Sequence, residues 1–115
     1  MNDVCFESRC KKALFINGKR VTDYLFDEIL YGDTTAICIY KTYFIIYDCK
    51  GKKILGKSGS VFRRFQDKQT KIWYLILKSN NLYGAYTSKG EVIIPVENGK
   101  DYSTVYNYIK SNYNI

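Results

Sequence analysis

IWYLILKSNNLYGAYTSKGEVIIPV, residues 72–96, decides the fold of this chain. Residues 72–78 form an apolar run rich in β-branched and aromatic side chains. Ser79-Asn80-Asn81 is a turn, and residues 82–86 are a second run. Thr87-Ser88-Lys89-Gly90 turns the chain again, and residues 91–96 form a third run that meets Pro95. Asn accepts a positive φ at low cost and Gly at none, so Asn80-Asn81 and Gly90 sit where hairpins need them. The stretch therefore reads as a three-stranded antiparallel meander. It contains no grouping of residues that points to catalysis.

The same pattern extends upstream. Residues 12–16 and 19–25 flank Asn17-Gly18, the strongest two-residue hairpin signal. Tyr31-Gly32-Asp33 is a turn. In 35–40, Ile37 and Ile39 alternate with Cys38 and Tyr40, as on a strand with two distinct faces. Residues 42–47 are a further strand, Asp48-Cys49-Lys50-Gly51 a turn, and 52–55 the return. Residues 56–60 read as a loop and 61–65 as a short strand with Phe62 and Phe65 available to the core. Beyond Asn98-Gly99 the period changes. Tyr102, Val105, Tyr106, Ile109 and Tyr113 recur at spacings of three and four, one face of a helix that Asp101 or Ser103 can cap. The expected fold is mainly β, an antiparallel meander of repeated β-hairpins with a C-terminal α-helix. Residues 1–115 read as a single domain, with hairpin repeats over 12–97 and the helix over 101–113.

Three segments superimpose: LFINGKRVTDYLFDEI, FIIYDCKGKKIL and YGAYTSKGEVIIP. Each is a strand, a Gly-containing turn and an apolar return strand. A lone hairpin cannot bury its apolar face, so such copies must pack on one another. Leu82-Tyr83-Gly84-Ala85-Tyr86 has an aromatic-Gly step, Ser88-Lys89-Gly90-Glu91-Val92-Ile93-Ile94-Pro95 a turn with an Ile-Pro end, and Phe26-Asp27-Glu28-Ile29 an aromatic-Asp-x-Ile element. On these residues the chain resembles the WG-repeat family of β-hairpin repeats. The last copy matches best. The second has Tyr43-Phe44 where the aromatic-Gly pair should stand, the first lacks that step, and Pro occurs once. The resemblance implies an interaction module without catalytic residues.

The residue inventory points the same way. There is no His, which removes the commonest general base, the Ser-His and Cys-His pairs and every His-containing metal site. Cys5, Cys10, Cys38 and Cys49 have no C-x2-C spacing, so they are expected to be reduced thiols rather than zinc ligands. Asp27 and Glu28 are adjacent and would face opposite sides of a strand. Gly56-Lys57-Ser58-Gly59-Ser60 lacks the spacing and the following helix of a phosphate loop. Neither a cofactor nor a metal is expected. No apolar run has the length of a membrane span and no leader-like segment opens the sequence, so a cytoplasmic location is expected.

Charge carries the functional expectation. The net charge is +7, yet residues 1–48 carry net −1, residues 49–90 net +9 and residues 91–115 net −1. In the central segment Lys50, Lys52, Lys53, Lys57, Arg63, Arg64, Lys68, Lys71 and Lys78 stand among Trp73, Tyr74, Tyr83 and Tyr86. Cations interleaved with rings suit an acidic partner or single-stranded nucleic acid. Lys52, Lys53, Lys57, Arg63, Arg64, Lys68, Lys71 and Trp73 are the expected contact residues, led by the two arginines, whose planar fork suits carboxylate and phosphate. The expected function is a non-enzymatic module that binds an acidic protein or nucleoprotein through a basic face. The alternatives are an RNA- or DNA-binding protein, or a small phage-type inhibitor of a nucleic-acid-dependent defence enzyme.

Overall fold

The computed structural model describes residues 11–113. Within them the order is β1 Phe15–Ile16, β2 Lys19–Arg20, β3 Glu28–Tyr31, β4 Thr35–Tyr40, β5 Tyr43–Asp48, β6 Lys53–Ser58, β7 Ser60–Gln66, β8 Trp73–Ser79, β9 Leu82–Thr87 and β10 Val92–Ile94. A 3-10 turn, Val96–Asn98, and one helix, α1 Tyr102–Asn112, follow. All pairings are antiparallel. They make a two-stranded pair, β1-β2, and two four-stranded sheets, β3-β4-β5-β6 and β7-β8-β9-β10. The chain is mainly β, its strands are connected as hairpins, and it ends in a helix, as the periodicities require.

The layering follows from which side chains need cover. In β4, Ala36, Ile37, Cys38 and Ile39 are all buried, and in β8 so are Tyr74, Leu75, Ile76 and Leu77. Successive residues of a strand point to opposite faces, so both faces of these sheets must be covered. Ile37, Ile39, Phe44 and Ile46 of the first sheet meet Leu75, Leu77 and Tyr86 of the second in a core between them. Phe44 and Tyr86 meet edge to face there, with centroids 5.7 Å apart. The outer face of the first sheet, with Ala36 and Cys38, is covered by Leu14 and Phe26 from the N-terminal segment. The outer face of the second, with Tyr74, Ile76 and Ala85, is covered by Val105 and Ile109 of α1. Those two helix residues are fully buried and four apart, and each contributes about 1.5–3 kcal/mol by leaving water.

Two turns are copies at atomic detail. At β5–β6, the Asp48 N–H donates to the Lys52 carbonyl at 2.8 Å and the Gly51 N–H to the Asp48 carbonyl at 3.0 Å. At β9–β10, the Thr87 N–H donates to the Glu91 carbonyl and the Gly90 N–H to the Thr87 carbonyl, both at 3.0 Å. Asp48 Oδ1 accepts from the N–H groups of Lys50 and Lys52, and Thr87 Oγ1 accepts from those of Lys89 and Glu91. Gly51 and Gly90 take φ of 86° and 88°. Of the three segments superposed from sequence, the last two therefore share equivalent turns, whereas the first turns in two residues, Asn17 and Gly18, both at positive φ.

Four local expectations are corrected. Residues 56–60 are not a loop. β6 runs to Ser58, β7 starts at Ser60, and the two do not pair, so the chain bends at Gly59 and passes from one sheet into the other. The Gly59 N–H donates to the Thr42 carbonyl at 2.8 Å and the Ser60 hydroxyl to the Lys41 carbonyl at 2.9 Å, which satisfies the polar groups of the bend. Phe62 is not core; it is 48% exposed, because a bulge in β7 turns it outward. The first hairpin is shorter than 12–16 with 19–25. Its ladder stops at Phe15↔Arg20 because the Thr22 hydroxyl accepts the Leu14 N–H at 2.9 Å, in place of a strand partner. The last strand ends at Ile94 rather than Val96, since Pro95 has no N–H to donate.

The bend yields a prediction that a loop would not. A Cβ on Gly59, where φ is 135°, would lie 2.8 Å from the Lys78 carbonyl oxygen and 3.0 Å from Leu77 Cγ. On Gly56 it would meet the flexible end of Lys53, at 3.2 Å. Gly59→Ala should cost about 2 kcal/mol or more, and Gly56→Ala less than about 0.5 kcal/mol. Urea unfolding of the two variants checks this; equal midpoints would refute the bend.

Candidate partner interface

The bulge in β7 assembles the most distinctive surface of the molecule. Val61 pairs with Leu77 and Arg63 with Ile76, so Phe62 is an extra residue in the ladder. Strict alternation would put Arg63 on the face of Val61. With one residue added, Val61 packs against the core between the sheets while Phe62 and Arg63 both lie toward α1. There Phe62 meets Tyr83 and Tyr102 edge to face at 5.4 and 5.2 Å between centroids. Tyr102 continues to Tyr106 at 5.7 Å, and Tyr106 to Phe65 at 5.8 Å. The helix supplies Tyr102 and Tyr106 because they are four residues apart on one face.

Three cations lie on these rings. The Arg63 guanidinium carbon is 5.1 Å from the Phe65 centroid and 5.7 Å from that of Tyr106. Arg63 Nη1 also donates to the Tyr102 hydroxyl at 2.7 Å. Lys110 Nζ lies 5.3 and 5.9 Å from the Phe65 and Tyr106 centroids. Lys78 Nζ lies 6.0 and 5.8 Å from those of Phe62 and Tyr83. Contacts of this kind contribute about 0.5–1 kcal/mol each at exposed positions. The result is a cationic, ring-lined surface along an edge strand and a helix.

The eight residues expected from sequence are distributed over the molecule. Arg63 alone of the eight joins the cluster. Arg64, on the opposite face of β7, is ion-paired to Glu28 of β3 and so links the two sheets. Lys57 of β6 is paired to Glu97 at 2.6 Å. This hydrogen bond holds the Lys57 ammonium above its ordinary range and the Glu97 carboxyl below its own. The pair lines an open groove of about 500 Å³ together with Ser58, Ser79 and Asn80. Lys52 stands in the β5–β6 turn and Lys53 opens β6, and Lys68 and Lys71 lie in the β7–β8 turn. Trp73 is half-buried at the start of β8, and its Nε1–H donates to the Tyr31 carbonyl at 3.0 Å. Tyr86 is buried, with its hydroxyl accepting the Val96 N–H at 2.9 Å.

Phe62, Tyr102, Tyr106 and Lys110 were not read from sequence as contact residues. For the last three a signal existed, since Tyr102, Tyr106 and Lys110 stand four apart along a capped helix. Phe62 had none, because its outward turn depends on the bulge. Of the cysteines, Cys38 is buried among Leu14, Phe26 and Ala36, and burial pushes its thiol up to about 12. Cys49 is exposed in the β5–β6 turn, and Cys5 and Cys10 lie outside the described residues.

The helix that carries half of the surface is held at its N-terminus by Asp101. Its carboxylate accepts from the Thr104 hydroxyl, and from the Thr104 N–H at 3.3 Å. These bonds lower the Asp101 pKa below the usual aspartate range. A carboxyl whose pKa is lower folded than unfolded stabilises above the unfolded value, and that contribution is lost as pH falls through the folded one. The parent should therefore melt above Asp101→Asn at neutral pH, and the gap should close below the usual aspartate range. A gap that stays constant on acidification would exclude the charged cap. No protein-family model, no curated protein and no solved structure matches the chain, so the reading of its function rests on these residues.

Proposed function

We propose that the protein is a non-enzymatic interaction module that docks an acidic partner on the outer face of its second sheet. The observation that carries this reading is the cluster of Arg63, Lys78 and Lys110 over Phe62, Phe65, Tyr83, Tyr102 and Tyr106. Rings give such a surface area and rigidity, and cations give it sign and orientation. The uneven charge supports the same reading, since net +9 lies in residues 49–90. So does the lack of His in the sequence, which deprives the chain of the commonest acid-base group. A WG-type set of hairpins would serve such a module as a rigid scaffold.

The two adjacent arginines test this. Arg63→Glu places a carboxylate among the rings at the proposed contact. Arg64→Glu breaks the exposed ion pair with Glu28, a kind of pair that contributes about 0–1 kcal/mol. Capture of the native partner from cell extract should be lost with Arg63→Glu and kept with Arg64→Glu, and raised salt should weaken it. Equal capture by both variants and the parent would refute the reading.

A further inference from the structure

We infer that the partner surface at β7 and α1 takes single-stranded nucleic acid, with a base stacked on Phe62 and phosphates held by Arg63, Lys78 and Lys110. This inference rests on the interaction-module reading and names its ligand. An acidic peptide would need the cations but not the rings. The structure supplies both, in one cluster, on one face. Five rings in the described part of this surface are linked by contacts of 5.2 to 5.8 Å, and each of the three cations touches two of them.

Phe62 is the decisive residue. It has no hydroxyl or charge that would reward exposure, and yet the bulge presents it to solvent, 48% exposed. Lys78 Nζ hovers at 6.0 Å from its centroid, on a long flexible stem. A phosphate binds an ammonium more strongly than an exposed ring does, so an arriving backbone draws Lys78 aside and leaves the ring to a base. Stacking is tolerant of base identity because every base has a π-face. Arg63 suits the neighbouring phosphate, since its Tyr102 bond uses one Nη1 hydrogen and leaves further donors of the planar fork. Duplex nucleic acid keeps its bases paired and stacked, so it cannot use Phe62.

The test measures anisotropy of a labelled twelve-nucleotide oligo(U) and the matching oligo(dT) at low salt, with duplex DNA and polyglutamate of matched charge as competitors. The single strands should bind, and neither competitor should displace them at equal charge concentration. Phe62→Ala should weaken binding on the order of tenfold or more, and Phe62→Leu equally, because it restores apolar bulk but not a ring face. Phe62→Trp should retain binding. Arg63→Gln, Lys78→Gln and Lys110→Gln should each lower the slope of log affinity against log salt by about 0.7. Duplex or polyglutamate competing as well as the single strands, or Phe62→Leu binding like the parent, would overturn the inference. No binding of either oligonucleotide would overturn it too. In each case the broader acidic-partner reading would still be decided by capture with Arg63→Glu.

Discussion

Burial of both faces of two β-sheets is the constraint on which the rest of the structure depends. β4 and β8 each carry four consecutive buried residues, so neither sheet tolerates a wet face. One face of each is satisfied by the other sheet, through Ile37, Ile39, Phe44 and Ile46 against Leu75, Leu77 and Tyr86. The remaining two faces need separate cover. The N-terminal segment provides it on one side with Leu14 and Phe26, and α1 on the other with Val105 and Ile109. Removing such a buried aliphatic side chain costs about 2–5 kcal/mol, because the lining collapses only partly.

The device that lets one meander become two stacked sheets is the bend at Gly59. A strand that changes sheets must turn a corner without reversing, and a positive φ against a neighbouring carbonyl allows only glycine there. Gly84 solves a related problem at the other side of the second sheet. A Cβ on it would lie 2.6 Å from the Ile94 carbonyl and 2.7 Å from the Val96 nitrogen. The chain leaving β10 therefore lies directly on the aromatic-Gly step, and Tyr86 fastens it there through the Val96 N–H.

Charge is divided between structural and surface duties. Arg64 with Glu28 draws the two sheets together and Lys57 with Glu97 ties the first sheet to the 3-10 turn after β10, and their carboxylates come from the acidic parts of the chain. What remains of the basic excess includes Arg63 and Lys78, which rest on rings and not on carboxylates. Cations held on rings stay available to an arriving anion, since the ring holds them less strongly than a carboxylate or phosphate would.

The sequence by itself determined the hairpin order, most of the turns and the helix, because their signals are local, though not the bounds of several strands. Asn17-Gly18, Gly51 and Gly90 marked turns through the φ they take, and the three-four spacing of Tyr102, Val105, Tyr106 and Ile109 marked a helix that Asp101 or Ser103 could cap, of which the structure uses Asp101. The pairing of hairpin turns was legible for the same reason, since Asp48 and Thr87 each bond to backbone two and four residues ahead. The surplus of positive charge was also legible, but not its address. Only the tertiary structure decided that Gly59 is a corner and not a loop, because the reason lies in Lys78 and Leu77 on another strand. Adjacent strand residues part to opposite faces, so the separation of Arg63 from Arg64 was legible; only the tertiary structure decided which of them faces α1 and that Phe62 joins Arg63, because one inserted residue in a ladder inverts the alternation on which any reading of faces depends. Only it brought Tyr102, Tyr106 and Lys110 to the basic strand, since that contact joins residues far apart in the chain.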